Sequence, residues 1–473
     1  MQLSKEYEAA ISQLSRYLRV EKSFDLVIKR VKCGFGEACV FFVDGMTKDG
    51  EMLRILQAVM ALKTPPTAGE MERAIPYVET DLISDLHSAA RCVLSGGSVI
   101  LWGGFLGVAV SCDTRTYPAR PTEEPSSDRV IEGAHDGFVE TLITNTALIR
   151  RRIRDPRLTM RHFNLGGSSE TDVVVCYMEG VAEERLVSKI SEKIQRAKPR
   201  SVTLGYQSLA ESLIRHGWYN PFPKIRLTER PDTAASQVLE GSILLICDTT
   251  PQVMIIPSSL FVYLEQTDDF YFPPLTGSYL RLVRMLMLVL SVVITPLWYL
   301  AVENAAALPP YLGFLVPDEP GALPIILQLL LVEVAIDGLK IASMNTPDML
   351  SNSLSVVGAL LLGDFAVGVG WLCEDVILYM AFIAIAGFAQ QNAELGYAFK
   401  YMRILTLIFV FGFGGWGLLL GAAVFVLLAA TNTTVDGGYG YLYPLIPLDP
   451  RAMKRLLFRL KKQDDGGKDC DRG

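Results

Sequence analysis

Apolar residues are concentrated in one long stretch of this chain, and that concentration constrains its fold more than any other feature. Residues 285–430 consist mostly of Leu, Val, Ile, Ala, Gly and Phe, whereas the first 270 residues are mixed in composition and rich in charge. Of the 473 residues, 50% are hydrophobic and 20% are charged, a combination that fits two regions of different character better than one uniform soluble protein. We therefore expect a soluble N-terminal half followed by a helical, membrane-embedded C-terminal half.

The apolar region contains five segments with the length of membrane-spanning helices. Crossing about 30 Å of hydrocarbon takes about 20 predominantly apolar residues. The candidate spans are 285–304, 324–343, 352–370, 375–390 and 404–430. A buried helix of a soluble protein imitates one such segment, but not five in succession. We expect a transmembrane helical domain over 279–446, with about four to six spans.

The first 116 residues are expected to form a small α/β subdomain. Segments 98–102 and 106–110, joined by two glycines, are typical of a β-hairpin. Residues 51–62 have the spacing of an amphipathic helix. Leu53, Leu56 and Met60 lie on one face of that helix.

A second small α/β subdomain is expected over 128–278. A polar, proline-rich stretch at 117–127 predicts the linker that precedes it. The predicted elements are a long helix, a strand, a helix and two strands, at 128–154, 173–177, 181–197, 243–247 and 253–256. The fold class is therefore two α/β subdomains in tandem, both cytosolic, followed by membrane helices.

Basic residues near the candidate spans predict which side of the membrane each end occupies. Arg281 and Arg284 precede the first span, whereas 303–324 contains acidic residues and no Lys or Arg. Because basic flanks favour the cytoplasmic side, the N-terminal half is expected in the cytosol. The basic tail at 447–473 is expected there too, but five full spans would place it outside. The glycine-rich segment 352–370 is the first candidate for a re-entrant segment, and the topology stays open.

Three ionisable residues fall inside the second candidate span. Glu333, Asp337 and Lys340 lie within an arc of about 60° on a helix that turns about 100° per residue. An ionisable group in hydrocarbon costs about 2.5–3.5 kcal/mol on insertion scales, so such groups usually face a bundle interior or water. One interpretation is that they line a pore, where acidic rings of an oligomer attract cations. The alternatives are that Asp337 and Lys340 neutralise each other, that the helix lies at the membrane interface, or that the face relays protons.

Three further residues of the apolar region are candidates for a special role. Asp364 is a second pore candidate, because it lies in a glycine-rich stretch where backbone can leave a helix only under cover of protein or water. Gly417 and Gly421 are four residues apart, a spacing that favours close packing of the last span against another helix. A hinge is the alternative.

Signals for catalysis, cofactors and nucleic acid are weak. The four histidines lack metal-ligand spacing, and the eight cysteines include no CxxC pair, which favours free thiols in a reducing compartment. A net charge of -7 without a basic, aromatic-rich cluster gives no indication of nucleic-acid binding. We expect no enzyme activity, no cofactor, no metal site and no nucleic-acid partner. The run Arg150-Arg151-Arg152 is expected to be a solvated helix end near anionic lipid or an acidic partner.

Several short sequence blocks occur in a recognisable order. One block covers 133–140, and its informative residues are Gly133, Gly137 and Glu140. A second follows Thr228, and its informative residues are Glu229, Arg230, Pro231 and Asp232. From about residue 20 to 460, this pattern resembles the A subunits of bacterial spore germinant receptors. The blocks at 219–223 and 324–328 are closest to one branch of that family.

The resemblance implies a multi-pass protein of the spore inner membrane that acts in germination, with its N-terminal half in the cytosol. Such A subunits are expected to form homo-oligomeric channels, for example a pentameric ring, that release monovalent cations. The implied partners are membrane lipid and other germination membrane subunits. One alternative is a non-conducting scaffold or receptor component. A secondary transporter is less favoured, because the sequence contains no recognisable inverted repeat.

Overall fold

The computed structural model divides the chain into two compact units. The first comprises Met1–His216 and Ile225–Ser258, and the second comprises Gly217–Lys224 and Ser259–Gly473. The described residues are 2–104, 106–117, 134–197, 202, 204–214, 219–266, 268–344, 366–390, 392–432, 440–446 and 448–458. The candidates Gly133 and Asp364, most of the predicted linker and of the span at 352–370, and the end of the tail lie outside them.

The first unit contains two five-stranded sheets in which all neighbouring strands are antiparallel. The strands of the first sheet are β1 Leu26–Cys33, β2 Gly36–Val43, β3 Thr80–Ile83, β4 Ser98–Trp102 and β5 Ala109–Cys112. Those of the second sheet are β6 Leu158–Leu165, β7 Thr171–Met178, β8 Arg226–Thr228, β9 Ile243–Cys247 and β10 Val253–Ile256. The strand orders are β1-β2-β4-β5-β3 and β6-β7-β9-β10-β8. The predicted α/β character is confirmed. The predicted hairpin is present too, but its second strand is Ala109–Cys112 and not 106–110.

Eight helices accompany the two sheets within the described residues of the first unit. They are α1 Tyr7–Leu18, α2 Asp49–Ala61, α3 Ala68–Ala74, α4 Leu86–Leu94, α5 Leu142–Arg152, α6 Glu184–Arg196, α7 Tyr206–Leu213 and α8 Pro231–Leu239. The first sheet and its helices bury one apolar core, whose largest side chain is Trp102. The second sheet packs its inner face against α5 and α8 to form another core.

The two sheets are built from the same series of elements. Each copy has a preceding helix, a hairpin, two helices, a short strand, one helix and a final hairpin. The helices α2 and α6 each contain 13 residues, and α4 and α8 each contain nine. In both copies a glycine with positive φ leads into the final hairpin, Gly96 at 93° and Gly241 at 98°. The first unit is therefore an internal duplication of one α/β topology.

A buried ion pair joins the two copies. Arg150 in α5 is fully buried, and its guanidinium donates hydrogen bonds to Asp25 at 2.7 Å and 3.1 Å. It also donates to Ser23 Oγ at 3.1 Å. Since Asp25 immediately precedes β1, the contact connects the start of the first sheet to the helix that precedes the second.

The predicted solvated end at residues 150–152 is wrong for two of the three arginines. Arg150 is buried as described, and Arg152 donates to both carboxylate oxygens of Asp136 at 2.6 Å. Arg151 is exposed, with its guanidinium carbon 4.5 Å from the centre of the Tyr117 ring. The helix ends where the two copies meet, so the side chains of its last turn make contacts that those of a solvated helix end do not make.

Helix α2 lies where the sequence pattern predicts it, but its most buried face is not the one that contains Leu53, Leu56 and Met60. The buried residues are Met52, Ile55 and Val59, whereas Leu53 is 58% exposed and Met60 is 51% exposed. Both sets of apolar residues have helical spacing and differ by one position, about 100° around the helix. Contact with the sheet selects between them, and that contact is not encoded in the local pattern.

Within the described residues, the long helix predicted over 128–154 covers only Leu142–Arg152. Asp248 Oδ1 accepts a hydrogen bond from the Leu142 N–H at 2.9 Å. Asn145 Oδ1 accepts one from the Val139 N–H at 2.8 Å. The first contact caps a free N–H group at the start of the helix, and the second holds the backbone before it, where residues 134–141 are not helical.

The second unit is helical. Its helices are α9 Asp268–Tyr271, α10 Pro274–Glu303, α11 Ile325–Met344, α12 Ala366–Gly368, α13 Glu374–Phe388, α14 Ala393–Phe413, α15 Gly415–Ala430 and α16 Pro450–Leu457. Within the described residues, only α10 and α14 have the length, the apolar composition and the few charges of a helix that could cross a membrane. The helix α15 is apolar but has 16 residues. The predicted four to six spans are therefore not confirmed.

The single span predicted over 404–430 is in fact two helices. α14 ends at Phe413 and α15 begins at Gly415, and the intervening Gly414 has φ 57° and ψ -135°. That backbone conformation favours glycine because other residues have a Cβ that clashes. The apolar pattern runs through the break, so hydropathy alone could not locate it.

One short segment that precedes β8 belongs to the second unit. The buried Phe222 ring lies 5.4 Å from the ring of Phe425, centre to centre, in an edge-on arrangement. Asn220 Nδ2 donates a hydrogen bond to the Leu428 carbonyl at 3.0 Å. The segment 219–223, one of the blocks singled out in the sequence, therefore packs against α15.

Candidate functional site

Four charged side chains meet between α11 and α14 inside the helical unit. We call them the ionic cluster: Glu333 and Asp337 from α11, and Lys400 and Arg403 from α14. The two acids are four residues apart and the two bases are three apart, so each pair lies on one face of its helix. One helix therefore presents only acids to a neighbour that presents only bases.

The contacts within the ionic cluster are direct. Arg403 donates to Glu333 Oε1 at 2.6 Å and to the Ser291 carbonyl of α10 at 2.9 Å. Lys400 Nζ lies 3.1 Å from the same Glu333 oxygen and also pairs with Asp337. The acids and bases balance, and the cluster ties three helices together.

Burial differs among the four side chains and separates their roles. The side chains of Glu333 and Arg403 are 9% and 7% exposed, and that of Lys400 is 12% exposed. Asp337 is 28% exposed and forms the open edge of the cluster. A buried ion pair is stable only while both partners are present, because an isolated buried charge has lost its hydration. Glu333 is thus placed to hold the helices together, and Asp337 to face what lies outside the chain.

The structure gives Asp337 a different basic partner from the one considered in the sequence. Asp337 pairs with Lys400, 63 residues along the chain, and not with Lys340. The Lys340 ammonium lies 5.2 Å from the centre of the Phe388 ring. Lys400 and Arg403 were not predicted from the sequence as members of this site. Their position inside an apolar helix was a signal that would have found them.

Gly417 and Gly421 lie where α15 approaches α14 most closely. A methyl group on Gly417 would lie 2.1 Å from the carbonyl oxygen of Phe409. One on Gly421 would lie 2.4 Å from Thr406 Oγ1. Residues 409 and 417 can meet this closely only because the chain reverses between them. Both positions therefore require glycine for α14 and α15 to form an antiparallel pair.

The second family block, Glu229 to Asp232, connects β8 to α8 in the first unit. Arg230 is fully buried and donates to the two carboxylate oxygens of Asp232 at 3.1 Å and 2.6 Å. Pro231 occupies the first turn of α8, where its missing N–H is not needed. Glu229 accepts a hydrogen bond from Gln252 Nε2 at 2.7 Å. These contacts fix the path of the backbone into the helix.

The first family block lies beside the second. The Phe138 N–H donates to the Glu229 carbonyl at 2.8 Å. Gly137 is buried, whereas the Glu140 side chain is exposed and its carbonyl accepts from the Thr249 N–H at 2.7 Å. Both blocks thus hold backbone segments of the second sheet together. Among the described residues, no group of three or more His, Cys, Asp or Glu side chains is arranged to hold a metal ion.

Comparisons with known proteins point in one direction. The family model described as Bacillus/Clostridium GerA spore germination protein matches residues 13–466. Stage V sporulation protein AF of Bacillus subtilis (strain 168) is 32% identical over 445 residues, which cover 93% of this chain and 90% of that protein. Spore germination protein KA of the same organism is 26% identical, over 93% of this chain and 82% of that protein.

A solved structure is also similar to part of the chain. It is the crystal structure of the N-terminal domain of the A subunit of the Bacillus megaterium spore germinant receptor GerK3. The match has 22% sequence identity and a TM-score of 0.42, and it covers 54% of this chain and 96% of that domain.

Proposed function

The chain belongs to the GerA family of Bacillus/Clostridium spore germination proteins, and we propose that it is an oligomeric, cation-conducting membrane subunit that acts in spore germination. The resemblance identified from the sequence blocks is confirmed by the family match. The proposal places the helical unit in the spore inner membrane and the α/β unit in the cytosol. Copies of the chain, other germination subunits and lipid are the proposed partners, and monovalent cations the conducted ions.

Membrane insertion is supported by the surface of the helical unit. Its helices expose large apolar side chains that a soluble protein would cover. Examples are Leu286 at 56%, Val289 at 57%, Phe411 at 63% and Leu427 at 61% exposed. Contiguous exposed apolar surface favours contact with lipid or with another subunit. The lengths of α10 and α14 support the same conclusion.

The observation that carries the conduction proposal is the ionic cluster within these apolar helices. Charges at membrane depth are expensive unless they are paired or reach water. Asp337 is paired with Lys400 and is also the most exposed of the four side chains. In a ring of subunits, the copies of Asp337 would form an acidic ring that attracts cations. Lys340 on the same face and Asp364 remain further candidates for the lining.

The test is ionic current through the purified chain in planar bilayers, with two matched variants. D337N removes the exposed acid of the ionic cluster and leaves the Glu333–Arg403 pair intact. E319Q removes one acid from the exposed stretch before α11 and serves as the control. We expect D337N to lower the cation-to-anion permeability ratio and E319Q to leave it unchanged. Equal selectivity in D337N and in the wild type would exclude Asp337 from the lining.

A non-conducting scaffold is the second candidate function, and the charge balance of the ionic cluster favours it. Two acids and two bases neutralise each other within one chain, as expected for side chains that only hold helices together. If the chain is a scaffold, no current is measured at any protein density, although light scattering still detects the oligomer. Repeating a silent measurement with co-purified germination subunits separates a scaffold from a channel that needs a partner.

A further inference from the structure

The first unit contains a cavity of about 810 Å³ at the junction of its two copies. Its lining comes from α1 and α4, from residues 152–157 between α5 and β6, and from the end of α8. Both copies of the duplicated topology therefore contribute to it. Cavities of about 300–1,000 Å³ are typical of small-molecule sites in proteins.

Five arginines line this cavity, which we call the arginine groove. They are Arg16, Arg19, Arg152, Arg154 and Arg157. Three of them are paired, in Arg19–Glu179, Arg152–Asp136 and Arg157–Asp155. Arg16 and Arg154 are exposed, and neither forms an ion pair with a carboxylate of the described residues. Arg154 donates one hydrogen bond, to Tyr117 Oη at 3.3 Å. The groove therefore carries an excess of positive charge that its own acids do not neutralise.

The rest of the lining offers hydrogen bonds and apolar contact. Tyr17 Oη and His87 Nδ1 are hydrogen-bonded at 3.0 Å on one side. Ile153, Pro156 and Leu239 provide an apolar wall, and Leu239 is 55% exposed. A combination of apolar surface with a few polar groups is what fixes the orientation of a bound small molecule.

We propose that the arginine groove binds a phosphorylated ligand through Arg16 and Arg154. A guanidinium presents a planar fork of N–H groups that matches phosphate oxygens, and its charge is not lost at any physiological pH. A phosphate monoester has nearly two negative charges and balances both arginines that lack a carboxylate partner, whereas the phosphodiester of a lipid headgroup has one. The other three arginines are neutralised by their own carboxylates, so Arg16 and Arg154 carry the excess positive charge that attracts an anion. The shared chemistry is an anionic phosphate group, either of a free phosphorylated compound or of a phospholipid headgroup.

The experiment is isothermal titration of the full-length chain in a neutral detergent at low ionic strength. Two probes are titrated separately, inorganic pyrophosphate and dihexanoylphosphatidylglycerol. The test variant is R16Q/R154Q, in which both replaced residues are exposed. The control is R185Q/R196Q, which removes two exposed arginines of α6 outside the groove and changes the net charge equally. Circular dichroism and the unfolding temperature establish that the variants remain folded.

At least one probe is expected to bind the wild type and the control saturably, and to bind R16Q/R154Q about tenfold more weakly or worse, because two charge-assisted hydrogen bonds are lost. Binding of pyrophosphate alone identifies a free phosphorylated ligand, and binding of the lipid alone identifies a headgroup. Absence of binding by both probes would overturn the proposal, and so would equal binding by the wild type and R16Q/R154Q. Because no current is measured, the outcome is independent of the proposed conduction.

Discussion

The guanidinium of Arg403 lies 2.6 Å from Glu333 Oε1, and both side chains are less than one-tenth exposed. E333Q leaves Arg403 buried without its carboxylate, and Lys400 with Asp337 as its remaining partner. We expect the variant to lose about 3–5 kcal/mol of stability, the usual cost of breaking a buried pair from one side. The measurement is the thermal unfolding temperature in detergent.

Two further variants make this test specific to the pair. E319Q, on the exposed stretch before α11, is expected to unfold at the wild-type temperature. The double variant E333M/R403M removes both charges and is expected to recover most of the loss, because apolar side chains of similar volume often replace a buried pair at little cost. An E333Q chain as stable as the wild type would mean that the pair does not hold α11 to α14.

The acidic half of the ionic cluster could be found in the sequence, and the basic half was not. Glu333 and Asp337 stand out because each is a charge inside a local apolar pattern. Their pairing with Lys400 and Arg403 is a contact between residues more than 60 apart. No local periodicity encodes it. For the same reason, the local pattern pointed to Lys340, which is close in the chain, as the partner of Asp337.

The strands show a similar division between local and tertiary signals. β9 and β10 are short apolar runs bounded by turn residues, and both were placed correctly from the sequence. β6 was missed, because it lies at the edge of its sheet and exposes polar side chains such as Arg161. The two copies share the order of their elements and glycines such as Gly96 and Gly241. Their apolar residues differ, so the duplication was not recognised in the sequence.

The Arg150–Asp25 pair predicts how the two copies of the first unit depend on each other. R150M leaves the Asp25 carboxylate buried, where the Ser23 hydroxyl still donates a hydrogen bond to Asp25 Oδ1 at 2.6 Å. We expect a loss of about 3–5 kcal/mol and faster hydrogen–deuterium exchange in β1 and β6. The control is R151Q, whose exposed cation–π contact contributes about 0.5–1 kcal/mol. Unchanged exchange in R150M would contradict a linking role for the pair.

Buried thiols predict a loss of stability at alkaline pH. Burial raises the pKa of Cys39 and of Cys176 to about 12, whereas a thiol in an unfolded chain ionises near pH ~8.5. Below that pH the two thiols stay protonated in both the folded and the unfolded state, so the full free energy of unfolding is retained. Between about pH 8.5 and 12 the unfolded state loses protons that the folded state retains, and the free energy of unfolding falls.

The corresponding measurement is the unfolding temperature at pH 8 and pH 10. Above its pKa in the unfolded chain, each thiol lowers the free energy of unfolding by about 1.4 kcal/mol per pH unit. C39A/C176A is therefore expected to show a shallower pH dependence than the wild type, whatever its stability at pH 8. An equal slope in both proteins would assign the alkaline sensitivity to other groups.

The close approach of α14 and α15 predicts a position-specific effect of adding one methyl group. In G417A the new Cβ would lie 2.1 Å from the Phe409 carbonyl oxygen, which is backbone and cannot rotate away. The helices must separate, and we expect a lower unfolding temperature and faster proteolysis between α14 and α15. G412A, in α14, adds the same group where no atom lies within 4 Å of the new Cβ. It is expected to be neutral or stabilising by up to about 1 kcal/mol, since alanine favours a helix. If the two variants unfolded at the same temperature, the antiparallel packing of α14 and α15 through Gly417 would be wrong.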